Sequence, residues 1–126
     1  MRTELLVIAL VLVGCVTRDD SAKPVSSNKP GALVIAYSAD SADTFTAKRG
    51  DSVIALDWLR EITSTHQIML EAKAYPYGTL VERIGHRKNG EGGFWLYKVH
   101  GQMVPKSSDA QYVAWSDTLT FFFDER

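Results

Sequence analysis

Four aromatic side chains gather in one stretch, Tyr77, Phe94, Trp95 and Tyr97, and they are the groups in this sequence best suited to chemistry. The chemistry they offer is recognition. Flat apolar rings with polar edges hold large amphipathic molecules, and Gly78 beside Tyr77 lets backbone approach a flat ligand closely. Residues for making and breaking bonds do not form patterns. His66, His86 and His100 are scattered without metal-ligand spacing, and Cys15 is the only cysteine. No Gly-X-Ser-X-Gly elbow occurs, and the acidic residues form no recognisable pair. Residues 86–93 are rich in glycine but lack the Gly-Lys-Ser/Thr ending of a phosphate loop, and no helix follows them. They read as a solvated turn. The expectation is a binding module without catalytic residues or metal.

Residues 75–102 carry the aromatic cluster, and two runs of β-branched and aromatic residues there flank the glycine-rich turn, which predicts a β-hairpin. Such a strand pair either fills a core or faces a partner, and the pattern allows both. Tyr77-Gly78 likewise reads as a strand-entry turn or as a contact point. Upstream, residues 32–38 are a short apolar run, and Phe45 and Ala47 alternate with polar neighbours, which together predict a first hairpin. Val53, Leu56, Leu59 and Ile62 recur at helical spacing, so one amphipathic helix is expected from about Ser52 to Thr63, capped by Asp51 or Ser52. Further strands are expected at 67–74, at 111–115 and at 118–123, the last with Leu119, Phe121 and Phe123 on one face. This order describes an α+β domain, a β-grasp-like mixed sheet covered on one face by a single helix.

The ends set the context. Leu5 to Val13 is an unbroken apolar run about half as long as a membrane span requires, which is the form of a signal segment. It ends in Leu12-Val13-Gly14-Cys15, which resembles a bacterial lipobox, so residues 1–15 are read as a lipoprotein signal peptide and Cys15 as the lipidation site. Lipid on Cys15 would anchor the protein to a membrane without spanning it. Val16 after the cysteine resembles an outer-membrane sorting signal, with the leaflet left open. Residues 16–31 are polar and too poor in apolar surface to order themselves, so they are read as a flexible tether. Residues 32–126 then form one small domain with a single core, and with no second cysteine it is held by packing alone. A net charge of −1 argues against an electrostatic nucleic-acid binder.

Gly50-Asp-Ser-Val-Ile-Ala-Leu-Asp-Trp-Leu59, then Tyr77-Gly78 with Val81 and Ile84, then Phe94-Trp95-Leu96-Tyr97, Gly101 and a closing strand, together resemble the DUF4430 family. That family belongs with the transcobalamin and intrinsic-factor C-terminal domain, a β-grasp fold. The match spans nearly the whole mature domain, and no single element of it is decisive. The resemblance implies that the domain closes over one face of a cobalamin-like corrinoid. The implied contacts are Tyr77, Gly78, Thr79, Leu80 and Val81, then Trp95, Leu96 and Tyr97. The chain is too short to contain the helical barrel of the carriers, so alone it would present half a corrinoid site, with a partner protein completing it. His100-Gly101 stands where bacterial relatives carry Asn-Gly, and Trp115-Ser116-Asp117 replaces a glycine before the final strand. Two functions remain: a lipoprotein of the bacterial cell envelope that binds a small amphipathic ligand, or a structural, protein-binding domain of the envelope with no small-molecule ligand.

Overall fold

The computed structural model describes residues 30–46 and 52–126. The signal segment, Cys15 and all but the last two residues of the tether lie outside the described residues. The described fold is mainly β with a single helix.

Its centre is a five-stranded sheet in the order β2 (residues 41–46), β1 (32–38), β10 (118–125), β7 (93–99) and β8 (102–103). Strand β1 (Ala32–Ser38) and strand β10 (Thr118–Glu125) run parallel, with Leu33 beside Leu119 and Ile35 beside Phe121. β1 alternates strictly between half-buried and buried residues, and β10 does so from Leu119 to Asp124, because successive side chains point to opposite faces and only one face has the core beneath it. Strand β2 (Ser41–Thr46) returns antiparallel to β1, as the first hairpin predicted, after a turn of only Ala39-Asp40. Strand β7 (Gly93–Val99) flanks β10 antiparallel and sets Trp95 opposite Phe123 and Tyr97 opposite Phe121. Strand β8 (Gln102–Met103) extends this edge through the turn His100-Gly101. Both turn residues take positive φ, +53° and +77°, so the histidine adopts the conformation that asparagine usually supplies.

Helix α1 (Ala55–Thr65) buries Leu56, Trp58 and Leu59 in the same core as Leu33, Ile35, Leu119 and Phe121. It begins later than the hydrophobic period suggests. Residues Ser52–Ile54 are strand β3, paired antiparallel with strand β9 (Tyr112–Ala114) so that Val53 meets Val113. The β-branched pair Val53-Ile54 fits a strand better than a first helical turn. No side chain caps the helix. Its first amides are satisfied from outside instead, Ala55 N–H by the Gln111 carbonyl at 2.8 Å and Leu56 N–H by the Ser108 carbonyl at 3.0 Å. Trp115, which with Ser116-Asp117 stands in place of a glycine before the final strand, is buried with its ring 4.8 Å from that of Trp58. Each large apolar side chain so buried contributes about 1.5–3 kcal/mol. The exposed ion pairs, such as Arg126 with Asp124, contribute about 0–1 kcal/mol each. Packing therefore dominates.

The expected hairpin of residues 75–102 does not form. Strand β5 (Gly78–Ile84) pairs with strand β4 (Leu70–Tyr75) and, at its end, with strand β6 (Arg87–Lys88), which makes a separate three-stranded sheet. The glycine-rich stretch makes two turns rather than one. The first, Gly85-His86, joins β5 to β6, with Gly85 at φ +62°, a value side chains rarely take. Residues 89–92 then release the chain to β7, which joins β10 because Trp95 and Tyr97 find Phe123 and Phe121 across that ladder.

Candidate ligand-binding cleft

Because β5 and β7 lie in different sheets, a cleft of about 360 Å³ opens between them. One wall is β5 at Thr79, Leu80 and Val81; the floor holds Trp95, Leu96, Tyr97 and Phe121; the opposite wall is residues 103–108. Tyr77 stands at the rim.

The rim is preorganised. Tyr77 is 72% exposed, and its ring stacks on Tyr75 at 5.2 Å with the planes only 5° apart. Tyr75 is itself fixed by its hydroxyl, which donates to Glu82 Oε2 at 2.6 Å. That hydrogen bond to a carboxylate holds the Tyr75 hydroxyl above its ordinary pKa. Gly78 follows at φ +133°, and a Cβ there would lie 2.6 Å from the Cβ and Oγ of Ser107. Only glycine lets β5 pass so close to the loop. Across this contact, Ser107 Oγ donates to the Thr79 carbonyl at 3.0 Å, and Thr79 N–H donates to Asp109 Oδ2 at 3.1 Å. The hydroxyls of Ser107 and Thr79, with the Thr79 amide, hold the Asp109 carboxyl below its ordinary pKa.

The floor is core more than surface. Trp95 is 2% exposed, its indole N–H donates to the Arg87 carbonyl at 2.9 Å, and Tyr37 and Phe123 meet it edge-on. Of the aromatic residues marked for a ligand, it is the one whose ring is committed to the interior. Val81 is buried as well, while Thr79, Leu96 and Tyr97 are half-buried and Leu80 is exposed. Tyr97 stacks on Phe121 at 5.6 Å and donates from its hydroxyl to the Lys106 carbonyl at 2.6 Å, which ties the floor to the far wall. Burial, and secondarily the charge of Asp109, raise the Tyr97 hydroxyl's pKa. Phe94 points the other way and is exposed.

Two contributions are not among the residues singled out above. The far wall, residues 103–108, has no strand or helix period, and Pro105 with the Ser107-Ser108-Asp109 cluster is its one signal in the sequence. Asn89 lay in the stretch read as a solvated turn. Its Nδ2 donates to the Val81 carbonyl at 3.0 Å, and its Oδ1 accepts from Trp95 N–H at 2.7 Å, so it spans the gap between the two sheets. The histidines remain apart: His66 tilts on Phe45, His86 stacks on Tyr37, and His100 Nδ1 is 3.8 Å from Asp117. Among the described residues no group of three or more His, Cys, Asp or Glu side chains could hold a metal, and no helix is long and apolar enough to cross a membrane.

No protein-family model matches the chain, and neither does any curated protein. Solved structures do match in fold. Haptocorrin, solved in complex with Cbi, superposes with a TM-score of 0.66 at 7% identity over 77% of this chain, and the match spans 25% of haptocorrin. A Ruminococcus gnavus ATCC 29149 protein, described as a candidate metal-binding protein, superposes with a TM-score of 0.59 at 13% identity, over 78% of this chain and 98% of that one. At these identities the likeness is one of fold.

Proposed function

We propose that this chain is a non-enzymatic binding module, a DUF4430-like β-grasp domain held at a bacterial envelope membrane by lipid on Cys15. In this reading the cleft between β5 and β7 receives a small amphipathic ligand. The observation that carries it is the cleft itself, about 360 Å³ with a stacked, exposed Tyr77 at its rim and half-buried Tyr97 in its floor. Both rings offer flat apolar area with a polar edge. A corrinoid is the first candidate, supported by the fold shared with haptocorrin, which was solved with Cbi bound. The match spans only a quarter of haptocorrin, so this domain would supply one side of such a site and a partner the other.

Titration of the purified full chain with cobalamin, following tryptophan fluorescence corrected for absorbance by the ligand, tests the reading. A saturable change that Tyr77→Ala weakens supports it. The absence of any saturable change up to high micromolar cobalamin removes the corrinoid.

A second reading, a protein-interaction domain of the envelope without a small ligand, is favoured by one observation. Over residues 79–81 of β5 and 95–97 of β7, the stretches that line the cleft, no described strand pairs on the cleft side. Crosslinking from membranes with a Tyr77→Ala control tests it, and recovery of the same proteins by both chains would count against the cleft as the docking site.

A further inference from the structure

The alternation that sends one set of side chains into the core leaves a second set on the outer face of the five-stranded sheet. Leu33 and Ile35 of β1, Leu119, Phe121 and Phe123 of β10, and Trp95 of β7 belong to the core. Val34 and Ala36, Thr120 and Phe122, and Leu96 and Lys98 are their alternates, so they share the other face. Phe122 stands at its centre, with Leu96 on one side and Ala36 on the other. Phe94 lies further along β7 on the same face and is exposed. None of Val34, Ala36, Leu96 and Phe122 packs against the core. Helix α1, the three-stranded sheet and the β3-β9 pair all send their buried side chains into that core instead. Among the described residues, no helix or strand is left to cover the outer face.

Two opposite charges stand at opposite margins of this apolar face. Lys98 reaches over the Phe122 ring at 5.1 Å, and among the described residues no carboxylate forms an ion pair with it. Asp124 pairs with Arg126 at 2.8 Å, and both remain partly exposed. Lys98 sits opposite Thr120, and Asp124 follows four residues along β10. The two charges are therefore about 13 Å apart along the strands and about 4.8 Å apart across them. The midpoint of the line between them is the Phe122-Leu96 pair.

That arrangement is self-complementary. A two-fold axis in the plane between two such faces, through the Phe122-Leu96 pair and perpendicular to the line, brings Lys98 of each copy to Asp124 of the other. Phe122 and Leu96 of both copies meet at the centre. The strands of the two sheets then cross at about 40°, close to the angle at which aligned sheets pack. Five strands and four rows of residues give a face of roughly 500 Å² per copy, the size of a weak, reversible contact.

We propose that the outer face of the five-stranded sheet is an interface for a second copy of this chain, packed sheet on sheet about that axis. The interface does not depend on what the cleft binds.

Sedimentation equilibrium of the purified full chain, from micromolar to millimolar concentration, compares the parent with Lys98→Glu, with Asp124→Lys and with an equal mixture of the two variants. Both positions lie at the surface, and circular dichroism checks that each variant keeps its fold. Either variant alone sets like charges against each other twice in a dimer, whereas a dimer with one copy of each restores both opposite-charge pairs. The parent is expected to show a reversible monomer–dimer equilibrium. Each variant alone should lose about tenfold or more in dimer affinity, and the mixed dimer should return to within about threefold of the parent. A parent that stays monomeric throughout leaves the face to another partner and overturns the proposal. Association that the single variants leave unchanged places the contact elsewhere, on residues 1–29 or on the cleft, and overturns it too. So does a mixture that associates no better than either variant alone, because the two charges then do not meet across an axis.

Discussion

Removing the Asn89 carboxamide tests whether one side chain holds the cleft at its width. In Asn89→Ala the Val81 carbonyl loses a donor at 3.0 Å and the Trp95 amide loses an acceptor at 2.7 Å. Each hydrogen bond contributes about 0.5–1.5 kcal/mol net, and leaving a buried group unpaired costs about 1–3 kcal/mol. Water reaches part of this site, so the expected loss lies near the sum of two ordinary bonds, about 2 kcal/mol. For a domain of this size that corresponds to a fall of roughly 10 °C in the midpoint of thermal unfolding. The assay is urea unfolding of the full chain followed by far-ultraviolet circular dichroism, with hydrogen exchange at Trp95 as a local probe. Glu91→Ala, an exposed change in the same turn, serves as the control and is expected to stay within about 0.5 kcal/mol of the parent. If Asn89→Ala matches that control and the Trp95 amide remains protected, the bridge does not hold β5 to β7 and the reasoning fails.

Gly78→Ala places a Cβ 2.6 Å from Ser107 at a φ of +133°, so it should cost about 1–3 kcal/mol and loosen residues 103–109, as seen by denaturation and by hydrogen exchange. Leu59→Ala empties space in the core shared by helix and sheet and should cost about 2–5 kcal/mol, measured by the same unfolding curve; a loss under about 1 kcal/mol would contradict the burial of that helix face. Tyr77→Ala removes an exposed ring and should leave stability nearly unchanged while weakening any ligand of the cleft, a contrast read by pairing unfolding with titration. Asp109 carries a carboxyl whose folded pKa lies below its ordinary value of 3.8, so its clamp on Thr79 is present above that value and is lost as pH falls through the lower folded one. Protection of the Thr79 amide, taken relative to intrinsic exchange at each pH, should fall in that acid range, and Asp109→Asn should remove that pH-dependent change in protection.

The strands at the middle of the sheet were legible because their residues alternate. Leu33, Ile35, Leu119, Phe121 and Phe123 each fall on one face by simple period, and the structure buries all five. The body of the helix was legible for the same reason at a different period, through Leu56 and Leu59. Pairing was not, because alternation says which residues share a face and nothing about which strand lies alongside. A glycine-rich stretch between two aromatic runs looks the same whether it closes one hairpin or makes two turns between separate sheets. Trp95 and Tyr97 show a further limit. Their spacing places them on one face, but depth depends on neighbours distant in sequence: Tyr37 and Phe123 enclose Trp95, whereas Tyr97 reaches the loop at Lys106. Asn89 was hidden because asparagine beside glycine is ordinary turn composition. Its role exists only once Val81 and Trp95 are brought to either side of it.

The parallel pairing of β1 with β10 bears on how the domain is made. β10 lies between β1 and β7, yet it follows every other strand of the domain in the sequence. Until it is synthesised, Leu33 and Ile35 on one side and Trp95 and Tyr97 on the other have no ladder to join them. The closing contacts span almost the whole domain, so loop-closure entropy must be met before they form, and folding should be slow and late compared with a fold of local hairpins. A nascent chain that stops short of Thr118 would hold helix α1 and the pairings that do not involve β10, such as β1-β2, β4-β5 and β7-β8, with its apolar sheet faces open to chaperones or to other chains.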